Sequence, residues 1–119
     1  MKKYKTLITF LIILAVVAGL FSLGRLTNPK STSKMILFFG DTCPHCEDVD
    51  KFIAENKTRE RLDFQELEVY NNAKNARLLT QTAKTCGLNT SEGIGVPFFF
   101  DGENCLLGSD PIINFLKTK

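Results

Sequence analysis

The segment DTCPHCEDVDKF, residues 41–52, places the chain's one histidine and a proline between two cysteines. Cysteines at this spacing serve as a redox couple, as part of a metal site, or as structural thiols, and their neighbours decide among these. MILFFG, residues 35–40, is a short unbroken apolar run ending in glycine, which predicts a buried central strand opening into a loop. On the other side Val49, Phe52 and Ile53 fall on one face of a helix predicted over 44–56, with Glu47, Asp48 and Asp50 in its first turns. The cysteine pair therefore belongs where a strand's C-terminal end meets a helix N-terminus.

That position suits dithiol chemistry. A redox couple needs two sulfurs close enough to bond, one of them ionised near neutral pH and exposed. Cys43 at the N-cap faces unpaired backbone N–H groups and the positive end of the helix dipole, which stabilise a thiolate. Pro44 fits the first helical position, where its missing N–H is no loss. His45, when protonated, adds positive charge beside the sulfur. Cys46, one turn along and expected to be more covered, is the resolving thiol. Whatever stabilises the reduced thiolate makes the disulfide a better oxidant, and the acidic cluster Asp41, Glu47, Asp48 and Asp50 opposes that push.

The remaining elements complete a layered α/β pattern. LDFQELEVY, residues 62–70, predicts a second strand whose alternation slips near Gln65. Ala76, Leu79, Ala83 and Cys86 make a helical stripe stopped by Gly87. VPFFFDGENCLLG, residues 96–108, predicts strand, Asp-Gly turn and strand, with Phe98, Phe99 and Phe100 as core. A final helix follows, with Ser109 or Asp110 as N-cap and Pro111 in its first turn. Two crossovers and a hairpin imply a four-stranded mixed sheet with helices on both faces.

The N-terminal part has a different character. LITFLIILAVVAGLFSL, residues 7–23, carries no charge and as a helix spans about 26 Å, within transmembrane range. Lys2, Lys3 and Lys5 before it predict a cytoplasmic N-terminus with the rest of the chain across the membrane. A cleaved signal peptide, cut near Ser22-Leu23-Gly24, is the alternative and leaves the domain secreted or periplasmic. The expected division is an anchor or signal at 1–26, a polar linker at 27–34 and a folded domain at 35–119. Six basic and no acidic residues occupy positions 1–34, whereas nine basic face thirteen acidic residues afterwards, so the domain is at −4 and is a poor nucleic-acid binder.

With these elements in order, residues 35–116 resemble the thioredoxin superfamily, in particular a small glutaredoxin-like domain. The resemblance rests on the strand, the C-x-x-C helix, Val96-Pro97 about fifty residues later, and the closing hairpin and helix. It implies that Pro97 is cis and lies against the dithiol, with the backbone at Val96 pairing with an extended substrate. Asp101-Gly102 and Gly108-Ser109-Asp110 are similar to the glutaredoxin segment that holds a carboxylate of glutathione at a helix start, which implies a substrate-binding role for Asp110. Pro44-His45 resembles the dipeptide of periplasmic disulfide-forming oxidases of the DsbA type. The large helical insertion of those enzymes is missing, and Thr42 stands where thioredoxins carry tryptophan.

Cys86 and Cys105 read as two buried thiols, as a second disulfide, which an oxidising compartment would permit, or as a redox relay with Cys43 and Cys46. Zinc held by Cys43, His45 and Cys46 with a distant cysteine is disfavoured, because adjacent ligands diverge on a helix. The expected function is a membrane-anchored, extracytoplasmic thiol–disulfide oxidoreductase on the oxidising or isomerising side. It acts on protein thiols through Cys43 and Cys46, with no metal and no cofactor beyond the redox disulfide, glutathione excepted, and the sequence names no recycling partner. The alternatives are a glutathione-linked reductase and a non-catalytic tethered module.

Overall fold

A computed structural model describes residues 1–23 and 34–119, divided into two compact units, 1–30 and 31–119. In the first unit, α1 (Lys2–Leu23) is a 22-residue helix, long and apolar enough to cross a membrane. Signal sequences share those properties. The hydroxyls of Thr6 and Thr9 donate back to the carbonyls of Lys2 and Lys5 at 2.8 and 2.7 Å, which removes free polar groups from an apolar surface. The expected cleavage point at Ser22-Leu23-Gly24 and the linker up to residue 33 lie outside the residues whose side chains are described.

In the second unit, β1 (Ile36–Phe39) runs parallel to β2 (Gln65–Glu68) and antiparallel to β3 (Phe98–Phe100), which pairs antiparallel with β4 (Cys105–Leu107). The sheet order is β2-β1-β3-β4. The helices are α2 (Pro44–Glu55), α3 (Thr58–Arg61), α4 (Ala73–Thr85) and α5 (Ser109–Lys117). Successive strand side chains point to opposite faces, so β1 and β3 each feed two cores. Leu37 and Phe99 join Val49, Ile53, Ile112 and Leu116 on the face covered by α2 and α5. Phe38 and Phe98 join Leu79 and Ala83 on the face covered by α4. Ring pairs Phe38–Phe98 and Phe64–Phe99 meet edge-on at 5.9 Å, and the first two phenylalanines of the predicted strand are fully buried.

Three local details differ from the sequence reading. The second strand is four residues, because Leu62 and Phe64 pack onto the α2/α5 core instead of extending the ladder. A short helical turn, α3, precedes it. Helix α5 begins at Ser109 with Gly108 as N-cap, so neither Ser109 nor Asp110 caps it. Gly108 has φ 91°, a left-handed conformation that only glycine adopts cheaply, and its N–H donates to the Pro97 carbonyl at 3.0 Å. The hairpin loop is closed by Asp101, whose carboxylate accepts from the N–H groups of Glu103 and Asn104 at 2.8 and 2.6 Å.

Candidate active site

Strand β1 ends at Phe39, and Gly40, Asp41 and Thr42 turn the chain into α2. Thr42 carries φ 65°, and the Cys43 N–H donates back to the Gly40 carbonyl at 3.3 Å. Cys43 is the N-cap of α2 with extended φ and ψ, and its Sγ accepts the Cys46 N–H at 3.3 Å. Pro44 follows in the first helical position. Cys43 and Cys46 are joined as a disulfide with Cα atoms 5.2 Å apart. Cys43 as N-cap and Pro44 in the first turn follow local capping chemistry.

Across from the disulfide, the Val96–Pro97 peptide bond is cis, and the Val96 carbonyl oxygen lies 3.7 Å from Cys43 Sγ. A cleft of about 230 Å³ is lined by Cys43, Cys46 and Pro97 together with the end of β1 and the start of α2. A second groove of about 240 Å³ brings His45, Val96, Pro97 and Asp110 together at the start of α5. Pro97 is thus the wall shared by the two openings. His45 is solvent-exposed and lines the second groove but not the cleft at the dithiol.

One expectation is corrected. Cys43 was expected to be exposed and Cys46 more covered, yet they are 6% and 7% accessible. Residues 96 and 97 lie over Cys43 and remove the advantage its N-cap position would otherwise have. Both cysteines line the cleft beside Pro97.

Cys86 and Cys105 stand elsewhere. Cys86 is the C-cap of α4, Cys105 opens β4, and they are bonded with Cα atoms 6.1 Å apart, tying α4 to the sheet. Cys105 pairs with Phe100, at the end of β3 away from Pro97, so no contact with the Cys43–Cys46 pair supports a relay between the two disulfides. Among the described residues no group of three or more Cys, His, Asp or Glu side chains converges as metal ligands.

The sequence reading missed a carboxylate that organises the loop. Glu68, at the end of β2, accepts the backbone N–H groups of Tyr70 and Asn71 at 2.7 and 2.8 Å and that of Asp41 at 3.3 Å. Burial pushes this carboxyl up, but the N–H donors of Asn71, Asp41 and Tyr70 together hold it below the ordinary glutamate value. Asn71 Nδ2 in turn donates to Asp41 Oδ2 at 3.4 Å, and the Tyr70 ring sits directly against Gly40. A glutamate closing a strand before two asparagines was the available signal, and it becomes meaningful only because β1 and β2 are parallel and end side by side.

No protein-family model and no curated protein matches the sequence. Among solved structures the chain is similar to wheat glutaredoxin, with a TM-score of 0.52 and 19% identity over 74% of this chain and 73% of that one. Sheet order, helix placement and that likeness together make residues 34–119 an α/β, glutaredoxin-like thioredoxin fold with a C-x-x-C pair at Cys43 and Cys46.

Proposed function

We propose that the protein is a thiol–disulfide oxidoreductase held at a membrane by residues 7–23, with its domain on the extracytoplasmic side, and that it exchanges disulfides with protein thiols. The observation that carries this reading is the placement of Cys43: an N-cap sulfur, bonded to Cys46, that accepts a helix N–H and faces the Val96–Pro97 backbone. In the oxidising direction a substrate thiolate attacks Cys43 Sγ, the Cys43–Cys46 bond breaks, and Cys46 leaves as a thiolate. A second substrate thiolate then attacks the substrate sulfur of the mixed disulfide and expels Cys43. The substrate loses two electrons and the enzyme gains them. The N-terminus of α2 stabilises the departing Cys43 thiolate, which favours this direction.

In this reading Cys43 forms the mixed disulfide, Cys46 is the thiolate released as it forms and the resolving thiol of the reverse direction, Pro44 starts the helix and His45 tunes the couple. Val96 and Pro97 seat an extended substrate. Asp110, with the start of α5, belongs to the neighbouring groove and accepts the terminal carboxylate of a peptide or of glutathione. The Cys86–Cys105 bond serves stability.

The test uses the full-length chain, oxidised, in a nonionic detergent with a reduced, unfolded substrate protein. Catalysed loss of substrate thiols is expected, and Cys43→Ser should abolish it. Full activity in that variant would overturn the assignment. The burial of Cys43 favours a second reading, a tethered module whose disulfide does not turn over. A disulfide that resists reduction by millimolar dithiothreitol under native conditions would select the module.

A further inference from the structure

We infer that the thiol substrates of this site are cationic, with lysine or arginine within a residue or two of the reacting cysteine. This rests on the oxidoreductase reading and specifies its substrate. The cleft that gives access to the disulfide is lined by three carboxylate residues, Asp41, Glu47 and Asp50, and by no Lys, Arg or His. All three are solvent-exposed, and Asp41 is oriented by its hydrogen bond from Asn71. Glu68, bonded to the Asp41 N–H, adds a fourth negative charge behind the loop.

A second feature points the same way. Tyr70 is 58% exposed, and its ring is seated against Gly40, which itself lines the cleft. An accessible aromatic ring beside carboxylates is the combination that recognises ammonium and guanidinium groups, by cation–π attraction and by charge. Acids alone would be an ordinary solvated helix face. Here they line the cleft that opens onto a buried disulfide, so a substrate thiol entering by that cleft comes within their field. Like charge on the substrate is repelled and opposite charge is concentrated, an effect that acts on the rate of encounter and falls with salt.

The experiment measures the rate at which the oxidised full-length chain, in nonionic detergent, reacts with two short single-cysteine peptides. One carries arginine on both sides of the cysteine and the other carries glutamate. Each rate is divided by the same peptide's rate with 2-hydroxyethyl disulfide, which corrects for the effect of flanking charge on the peptide thiol itself. At low salt the arginine peptide should react about tenfold faster, and in 0.5 M salt the ratio should fall to about threefold or less. In Glu47→Gln/Asp50→Asn the low-salt ratio should drop at least about threefold. Equal normalised rates, or a ratio indifferent to salt, would overturn the inference, and an undiminished ratio in the double variant would overturn its assignment to these carboxylates. Dithiothreitol provides the control: if it reduces the disulfide while the peptides do not differ, only the inference fails. If it does not react either, the oxidoreductase reading fails with it.

Discussion

Removing the second disulfide tests how the domain is held together. Replacing Cys86 and Cys105 with alanine leaves α4 and β4 intact but opens a loop with a sequence separation of 19. On the chain-entropy account, closing such a loop removes about 11 cal/mol/K from the unfolded ensemble, or about 3 kcal/mol at 25 °C. A domain of this size has a small core divided by the sheet, so that figure is a large share of its stability. With a urea slope of about 1 to 1.5 kcal/mol/M, the unfolding midpoint of the oxidised double variant should fall by roughly 2 to 3 M. Far-ultraviolet circular dichroism suits the assay, because the chain contains no tryptophan. Thiol-specific mass mapping of the native protein should find Cys86 and Cys105 joined. A midpoint within about 0.5 M of the native protein would refute the reasoning, showing that the bond constrains nothing the packing does not already hold.

Two further outcomes follow from the site. His45→Ala should make the couple more reducing, by about 30 mV for each roughly 1.4 kcal/mol of lost thiolate stabilisation; an unchanged equilibrium with glutathione would remove His45 as a tuner. Glu68 has a folded-state value held below the ordinary 4.5 by backbone donors, so its ionised form binds the loops better than its protonated form. Its contribution to stability is therefore complete above that ordinary value and is lost as pH falls through the lower, folded one. Glu68→Gln should flatten the loss of stability below pH 4.5, and an acid-unfolding curve identical to the native one would count against the carboxylate as a clamp.

Much of the fold was legible because local chemistry and global placement agree at the same residues. Cys43-Pro44 starts a helix on capping grounds, and the strand before it is apolar because it is the central one, covered on both faces. The three phenylalanines 98–100 alternate between the two cores as a buried strand must. The length of β2 was less legible, because Leu62 and Phe64 suit a strand and a core-filling loop equally well, and only the position of α2 and α5 selects the second. The start of α5 was misread because Ser109 and Asp110 have good capping side chains, while the chain's turn away from β4 needs the left-handed φ of Gly108.

By itself the sequence determined the order of elements, the cysteine pair at a helix start, the apolar N-terminal segment and the contrast between a basic N-terminal part and an acidic domain. These follow from periodicity, capping and charge, all of which act over a few residues. Only the tertiary structure decided that Cys43 is buried to the same degree as Cys46, that Pro97 borders both the dithiol cleft and the His45 and Asp110 groove, and that Cys86 joins Cys105. It also brought Glu68 and Tyr70 from the neighbouring strand end to the loop before Cys43. Those relations join residues 19 or more positions apart, and nothing in a local pattern encodes them; the ones around Cys43 arise when parallel pairing of β1 and β2 and antiparallel pairing of β1 and β3 gather three chain segments at one edge of the sheet, while the Cys86–Cys105 bond lies at the other end of β3.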